Sequence, residues 1–344
     1  MNYTLQERVI DLAKRSGTDK EFLRHLRAII LENDTEVEAL EPSQRLLNVY
    51  DSYINSLKSV LPFEKVLKTG YQNIDTRSPI YLSELVVIGG RPAMGKTQFL
   101  VNLALKLAQN YKVLFFSLEV GVDYLNERFA SVINDIPFAK LLQKDFTKQE
   151  LEKIETNKSS LLMNNIFLND VMQSKIGPLV LEAERMIKEH DVKVVMVDYL
   201  QLLHNTRYGS NREMEIAYVA KCLKELAKKY NVTIFVTSQL SRAVETRGGN
   251  KTPMLSDLRE SGSIEQDADK VLFLYRPEYY GFEVDEEGES TRARMDIVFA
   301  KNRNGAVGKL PFVVSDNFIH IEEHQDSFEQ KYISIDPSRL EDLN

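Results

Sequence analysis

The stretch Gly90-Arg91-Pro92-Ala93-Met94-Gly95-Lys96-Thr97 fits the pattern G-x-x-x-x-G-K-[ST]. Glycines let a backbone curl so that its N–H groups face phosphate oxygens, and a helix N-terminus adds positive potential there. In such a loop Lys96 can reach the β- and γ-phosphates of a nucleoside triphosphate, and Thr97 can ligate Mg²⁺. The pattern carries weight only between a strand and a helix, and "ELVVIGG" before it and an apolar helical stretch after it supply both. Two carboxylates belong to the same chemistry. "VVMVD" ends a buried apolar run in Asp198, suited to holding Mg²⁺ through water, and "VLFFSLE" ends in Glu119, suited to orienting or deprotonating an attacking water. Gln239 closes "VTIFVTSQ"; an amide there can sense a γ-phosphate. A solvated strand end is the plain alternative for each of the three.

A second stretch, Asp257 to Asp269 (DLRESGSIEQDAD), has one Arg among five carboxylates. The loop before it, "SRAVETRGGNKTPMLS", carries Arg242, Arg247 and Lys251 among glycines, a candidate basic track; Arg207 and Arg212 are weaker candidates. A charged surface loop with internal ion pairs is the alternative reading of the Asp257–Asp269 stretch.

These residues need a scaffold. The runs "ELVVIGG", "KVLFFSLE", "KVVMVDYL", "VTIFVTSQL" and "KVLFLY" read as buried parallel strands, with helical stretches at 96–110, 123–133, 178–190 and 211–230 between most of them. The expected fold is α/β, a doubly wound and mostly parallel sheet. "RARMDIVFAKNRNG" and "GKLPFVV" read as a hairpin-like pair at one edge, and 281–292 as a polar loop. Helical signals precede the sheet. Thr4 to Glu7 and Thr18 to Glu21 fit capping boxes. In a third helix, Leu46, Tyr50, Tyr53, Leu57 and Val60 form one apolar seam that Pro62 ends. The expected organisation is a helical segment at 1–62 with a linker-like helix at 43–60, an ATPase domain at 63–321, and an acidic tail at 322–344.

Composition excludes several classes. Of 344 residues, 43% are apolar, enough for a real core. The single Cys222, in a helical pattern, rules out a disulfide framework and a cysteine zinc site, and the five His show no metal-ligand spacing. There is no apolar run of membrane-spanning length and no basic-then-apolar start, so the expectation is a soluble cytoplasmic protein with no membrane partner. The net charge of −7 argues against indiscriminate nucleic-acid binding but leaves room for a local basic patch.

The strings "RPAMGKT", "FFSLE", "VDYLQLL", "SQLSR", "DLRESGSIEQDAD" and "KNRNG" occur in the order seen in DnaB-type replicative helicases, which the chain resembles from about Thr69 to about Val314. The resemblance implies a RecA-like ATPase fold, ATP and Mg²⁺ as cofactors, and a homo-oligomer, the hexameric ring, around single-stranded DNA. It implies ATP sites between subunits. It assigns Lys96 and Thr97 to the phosphate loop, Glu119 to catalysis, Asp198 to Mg²⁺ and Gln239 to sensing. Arg128 matches an arginine near the phosphates, and Lys301 and Arg303 match a basic pair reaching into the neighbour's site. Arg259, Glu260 and Gly262 match positions that touch the DNA backbone. Only some sixty residues precede Pro62, so the helical collar that such helicases carry is expected to be shortened or absent, with 43–60 as its linker. That leaves a phage, plasmid or accessory role as open as the housekeeping one, with a loader or a replication or recombination protein as a further partner. The activity expected is ATP-driven translocation with duplex unwinding. A DNA-stimulated ATPase that remodels protein–DNA complexes and a non-catalytic ATP-binding ring are the other readings.

Arg259→Ala is expected to weaken single-stranded DNA binding about equally across sequences. It should flatten the log–log salt dependence by roughly 0.7 for each phosphate the chain then fails to neutralise. Titrations at several salt concentrations check this; an unchanged slope gives Arg259 a structural role instead.

Overall fold

The computed structural model describes residues 65–158, 164–170, 175–205, 211–249, 251–258, 262–285 and 288–324. The chain divides into two compact units, Met1–Phe63 and Glu64–Asn344, and the described residues lie in the second. The three expected N-terminal helices, with the 43–60 seam, lie outside the described residues. So do Arg207, Arg259, Glu260 and the chain beyond 324.

In chain order the strands are β1 Val66–Leu67, β2 Ile80–Tyr81, β3 Leu85–Gly90, β4 Lys112–Ser117, β5 Ile166–Asn169, β6 Val192–Asp198, β7 Thr233–Gln239, β8 Lys270–Tyr275, β9 Arg294–Asn302, β10 Gly308–Val314 and β11 Ile321–Glu323. The helices are α1 Gln72–Arg77, α2 Lys96–Leu107, α3 Val122–Asn134, α4 Phe138–Gln143, α5 Lys148–Asn157, α6 Ile176–His190, α7 Arg212–Tyr230, α8 Ala243–Thr246 and α9 Gly262–Asp267. Among the described residues, nine strands form one sheet in the order β11-β10-β9-β8-β3-β7-β6-β4-β5. From β8 to β5 every pairing is parallel, while β9, β10 and β11 add antiparallel neighbours at the edge. This is the expected doubly wound sheet, with the "RARMDIVFAKNRNG" and "GKLPFVV" pair where the sequence predicts it.

All six residues of β3 are buried. Successive side chains of a strand point to opposite faces. Val86 and Ile88 accordingly join one core, with Phe99, Leu100, Leu103 and Leu107 of α2. Leu85 and Val87 join the other, with Leu179 and Ala183 of α6 and Val219, Leu223 and Ala227 of α7. Two covered faces explain why these strands read as near-continuous apolar runs.

Several elements lie beyond the sequence expectation. Strand β5 is only half-buried along its length, so it lacks the apolar signature of its neighbours. Helices α4 and α5 carry little buried apolar surface; α5 is held at its start by a capping box between Thr147 and Glu150. Strand β11 carries the sheet past the expected boundary at 321, because the Glu323 carboxylate accepts from the free N–H groups of Gln72 (2.8 Å) and Asn73 (2.5 Å) at the start of α1. The polar loop 281–292 closes on itself through a Val284–Ser290 bridge and the fully buried Thr291.

Phe273 of β8 packs against Gly89 of β3: a Cβ there would lie 2.6 Å from its Cδ1. Gly89→Ala is expected to destabilise the domain by about 1–3 kcal/mol through overpacking. Gly177, in the first turn of α6, has nothing within 4 Å of a built Cβ. Gly177→Ala meets no core atom, only the ring of the following Pro178, and is expected to change stability by at most about 1 kcal/mol in either direction, less than Gly89→Ala. Urea midpoints of the two variants check the contrast.

Candidate nucleotide site and sheet-edge arginine

The carboxyl ends of the parallel strands meet at one edge of the sheet. Gly90 of β3 is in register with Gln239 of β7, and Ser117 of β4 with Asp198 of β6. An open parallel sheet presents its ligand site outside these ends. Between β3 and α2 the chain turns through Ala93 (φ 65°) and Gly95 (φ 88°). At Gly95 a Cβ would collide with the Phe318 ring, so only glycine fits. Ala93 accepts a left-handed conformation that costs an L-residue some strain.

Lys96 folds over this turn, donating to the Gly90 carbonyl at 2.9 Å and the Arg91 carbonyl at 3.2 Å. Burial pushes its pKa down, while Asp198 and Glu119 pull it up. The Thr97 hydroxyl donates to Asp198 Oδ2 at 2.5 Å, and Thr237 donates to the other oxygen. Asp198 is almost fully buried, so both bonds are needed to hold a carboxylate there. Glu119 lies beyond the end of β4, which stops at Ser117, and is open to solvent on one side while its carboxyl is partly covered on the other. The Leu118 N–H donates to the Asp198 carbonyl at 2.8 Å and so brings Glu119 beside Asp198. Burial, then the Asp198 carboxylate, raise the Glu119 pKa above the usual carboxylate range, with Lys96 and Arg128 pulling the other way.

Arg128 lies on α3, its guanidinium 4.5 Å from the centre of the Phe138 ring and its Nη1 3.3 Å from Gln98 Oε1. Its Nε is buried with no acceptor among the described residues. A buried donor of that kind is costly unless something accepts from it. The parts for a nucleotide and its metal are consistent with one another. Thr97 and Asp198 are hard oxygen donors in contact, as Mg²⁺ requires. The left-handed turn precedes a helix N-terminus, and Lys96 and Arg128 supply positive charge.

One residue of the phosphate loop is turned elsewhere. The Arg91 side chain donates from Nε to Glu245 Oε1 (2.8 Å) and from Nη1 to the Leu240 carbonyl (2.8 Å). Its backbone belongs to the loop; its guanidinium belongs to the segment after β7. Gln239 is tied through its main chain: its N–H donates to Gln201 Oε1 at 3.1 Å, and Gln201 Nε2 reaches Ser238 Oγ at 2.8 Å. Gln201, from the string "VDYLQLL", thus cross-links the ends of β6 and β7, a role no local spacing in the sequence signals.

Lys301 and Arg303 stand at the other edge of the sheet. The Arg303 N–H donates to the Asp269 carbonyl (3.0 Å), and the Asp269 N–H donates to the carbonyl of Leu85, the first residue of β3. Six residues of strand, roughly 17 Å, therefore separate the level of Arg303 from the end of β3 where the phosphate loop begins. The Arg303 guanidinium lies 3.5 Å from the Asp269 carboxylate and donates to the Gln266 carbonyl; Lys301 donates to the Glu265 carbonyl. The turn after β9 is braced from below. Lys270, fully buried, lies 3.3 Å from Glu84 and donates to Asn302 Oδ1, and Asn304 Nδ2 donates to Glu84 at 2.7 Å.

The basic track divides. Arg242 is exposed, with no ion pair among the described residues. Arg247 pairs with Asp257 and reaches the Thr252 carbonyl at 3.3 Å. Lys251 donates to the carbonyls of Glu245 and Arg247. Arg212 likewise bonds Glu215 and the Leu203 carbonyl. A loop with two glycines and little core satisfies its carbonyls with its own cations, so Arg247, Lys251 and Arg212 hold the loops in shape rather than standing free. Gly262 opens the short helix α9, the helix or turn expected for the "IEQDAD" part of the string.

No described helix is long and apolar enough to cross a membrane. Cys222 is half-buried, and burial raises its thiol pKa, which leaves it a poor nucleophile.

Residues 66–323 match the model of the DnaB-like helicase C-terminal domain. The chain is 39% identical over 245 residues to a probable plasmid replicative DNA helicase of Chlamydia psittaci, which covers 70% of this chain and 52% of that one. It is 33% identical over 337 residues to the replicative DNA helicase DnaB of Rickettsia felis, covering 91% of this chain and 65% of that one. The chain thus spans between about half and two thirds of the length of these relatives. A solved DnaB-like replicative helicase, described with its interactions with primase, superposes with a TM-score of 0.73 at 27% identity, over 93% of this chain and 76% of that one. The phosphate loop, the carboxylates at the strand ends and the arginine at the far edge sit on a RecA-like sheet, and the chain belongs to the DnaB-like helicase C-terminal domain family.

Proposed function

We propose that this chain is an ATP-driven DNA translocase that unwinds duplexes as a hexameric ring on single-stranded DNA. The observation that carries the reading is the separation of Arg303 from Lys96. A phosphate loop with its carboxylates lies at one edge of the sheet, and a basic pair lies at the opposite edge of the same chain. An arginine so placed cannot serve its own site, but in a ring it meets the next subunit's.

Lys96 would hold the β- and γ-phosphates, and the N–H groups of the 90–97 turn would donate to phosphate oxygens. Thr97, with Asp198 through water, would hold Mg²⁺, which when bound would supply positive charge against the phosphate oxygens. Glu119 takes the proton of the attacking water, helped by a pKa that burial and Asp198 raise. The neighbour's Arg303, with Lys301, stabilises charge developing on the γ-phosphate. Arg128 donates its unpartnered Nε to a phosphate oxygen, and Gln239 reads the γ-phosphate at the end of β7. Arg259, Glu260, Gly262 and the exposed Arg242 contact the DNA backbone, with Arg247 and Lys251 shaping the loop beside them. A loader or a replication or recombination protein would be a further partner.

Three measurements test the reading. ATP-dependent strand displacement on a forked duplex is expected; ATP turnover with no displacement would assign the remodelling role instead. Because the Glu119 pKa is raised, its base form is lost at a higher pH than for an ordinary carboxylate. ATP turnover, as kcat/KM, is therefore expected to fall as pH drops through a value above the usual carboxylate range. Glu119→Gln is expected to block turnover while it still binds nucleotide, and turnover equal to the parent's would remove Glu119 from the mechanism. Arg303→Ala is expected to lower turnover by about 10³–10⁵-fold, and Lys96→Ala to abolish it. Mixing the two inactive variants should restore some ATPase activity, because a mixed interface pairs an intact loop with an intact arginine. A mixture that stays dead, with only monomers in light scattering under ATP and DNA, removes the shared site.

A further inference from the structure

We propose that Arg91 and Glu245 form a positioning pair that transmits occupancy of the phosphate loop to the loop that carries the DNA contacts. The inference rests on the functional reading above and deepens it.

Arg91 is joined to both sides. Its carbonyl accepts from Lys96 Nζ at 3.2 Å, and its guanidinium, 8% exposed as a residue, grips Glu245 and the Leu240 carbonyl, both at 2.8 Å. A planar guanidinium bonded to two different acceptors is fixed in orientation as well as in position. Leu240 directly follows Gln239, and Glu245 lies on α8. From there the grip continues. Arg247, one residue past α8, pairs with Asp257. The Ser241 N–H donates to the Asp257 carbonyl at 2.8 Å, and Leu240 bridges Leu258. Asp257 and Leu258 are the residues that lead into Arg259.

Lys96 stands at the head of this chain of contacts. In this structure Lys96 donates to the carbonyls of Gly90 and Arg91. A phosphate oxygen seated on this turn would compete with those carbonyls for the ammonium's donors, and a donor that turned to it would leave a carbonyl. The Arg91 peptide then loses its donor and settles anew. Its side chain, nearly buried and bonded at both ends, carries the shift to Leu240 and α8. Gln239 offers a second path along β7, but its main-chain bonds to Gln201 tie it to β6 rather than to the loop. Glu245 itself touches no phosphate position, and its side chain is 40% exposed. Glutamine at 245 keeps the length of the side chain and an amide oxygen that can accept from Arg91 Nε, so that change removes the charge without opening a cavity.

The test compares the full-length chain with Glu245→Gln and Glu245→Asp. The affinity for a fluorescein-labelled oligo-dT is measured by anisotropy with and without a non-hydrolysable ATP analogue and Mg²⁺. The ratio of the two affinities is the coupling factor, and by linkage the analogue's affinity with and without DNA must give the same factor. A parent factor of about 5–150-fold is the usual scale of such coupling. In Glu245→Gln the factor is expected to collapse toward one, while the analogue's affinity without DNA and the DNA affinity without analogue stay at parent values. Glu245→Asp, which keeps the charge, should restore part of the factor. A parent-sized factor in Glu245→Gln overturns the relay. So does a loss of either affinity measured alone, which would mark Glu245 as a general structural residue. A parent that binds neither DNA nor nucleotide overturns the functional reading and the relay together, and is distinguished from the first outcome by the parent's own titrations.

Discussion

The confinement of β3 is the constraint on which the rest depends. Its six residues are buried on both faces, with α2 on one side and α6 and α7 on the other, and both of its edges are taken by β7 and β8. A slip of one residue would move Val86 and Ile88 into the wrong core, so the strand holds one register. It then acts as a rigid rod between two edges of the sheet. At one end Gly90 starts the phosphate loop. At the other, Leu85 is bonded in both directions to Asp269, its N–H donating to the carboxylate at 2.8 Å and its carbonyl accepting the Asp269 N–H. Arg303 hangs on that same Asp269. The Gly90–Thr97 loop and Arg303 are thus mounted on one strand.

The polar groups at each end are arranged to keep that rod in place. At the site end, Asp198 is buried between the hydroxyls of Thr97 and Thr237, which locks α2, β6 and β7 together. At the far end, Lys224 donates to Asp269 and to the Ser83 carbonyl at 2.9 Å, and the Lys270–Glu84 pair braces the turn that presents Arg303. Buried charges are tolerated only when paired and fully hydrogen-bonded, and removing one partner of such a pair costs about 3–5 kcal/mol. Burying so much charge at the base of the sheet is reasonable where the position of one arginine matters.

The loops follow a different rule. Between β7 and β8 the buried apolar residues, Leu240, Val244, Leu258, Ile264 and Ala268, lie toward the two ends of the segment, and between Val244 and Leu258 cations and carboxylates do much of the folding. Arg91, Arg247 and Lys251 each direct their donors to carboxylates or carbonyls of that segment. A segment held by charge pairs rather than by a core is easier to shift than a strand, and that suits a segment expected to answer a change at the phosphate site.

Much of this was determined by the sequence itself. The phosphate loop is legible because its chemistry is local: glycines, a Lys and a Thr must follow one another between a strand and a helix. Asp198 and Gln239 are legible because each closes an apolar run buried on two faces. The family strings carry Lys301, Arg303 and Arg259 by resemblance, since no spacing in the chain relates them to Lys96. Tertiary structure alone decided what the described residues face. It set Glu119 beyond its strand and beside Asp198, put Gln201 between β6 and β7, and gave Arg91 to Glu245, 154 positions away in the chain. It also committed Arg247, Lys251 and Arg212 to internal pairs where their charge alone suggested a track for DNA. Short elements such as β5 and β11 escaped because they bury too little apolar surface to mark themselves. The physical reason is common to all of these. Periodicity and local motifs record which face a residue turns to the core, whereas partners are chosen by the order in which strands cross over, and only the folded sheet contains that order.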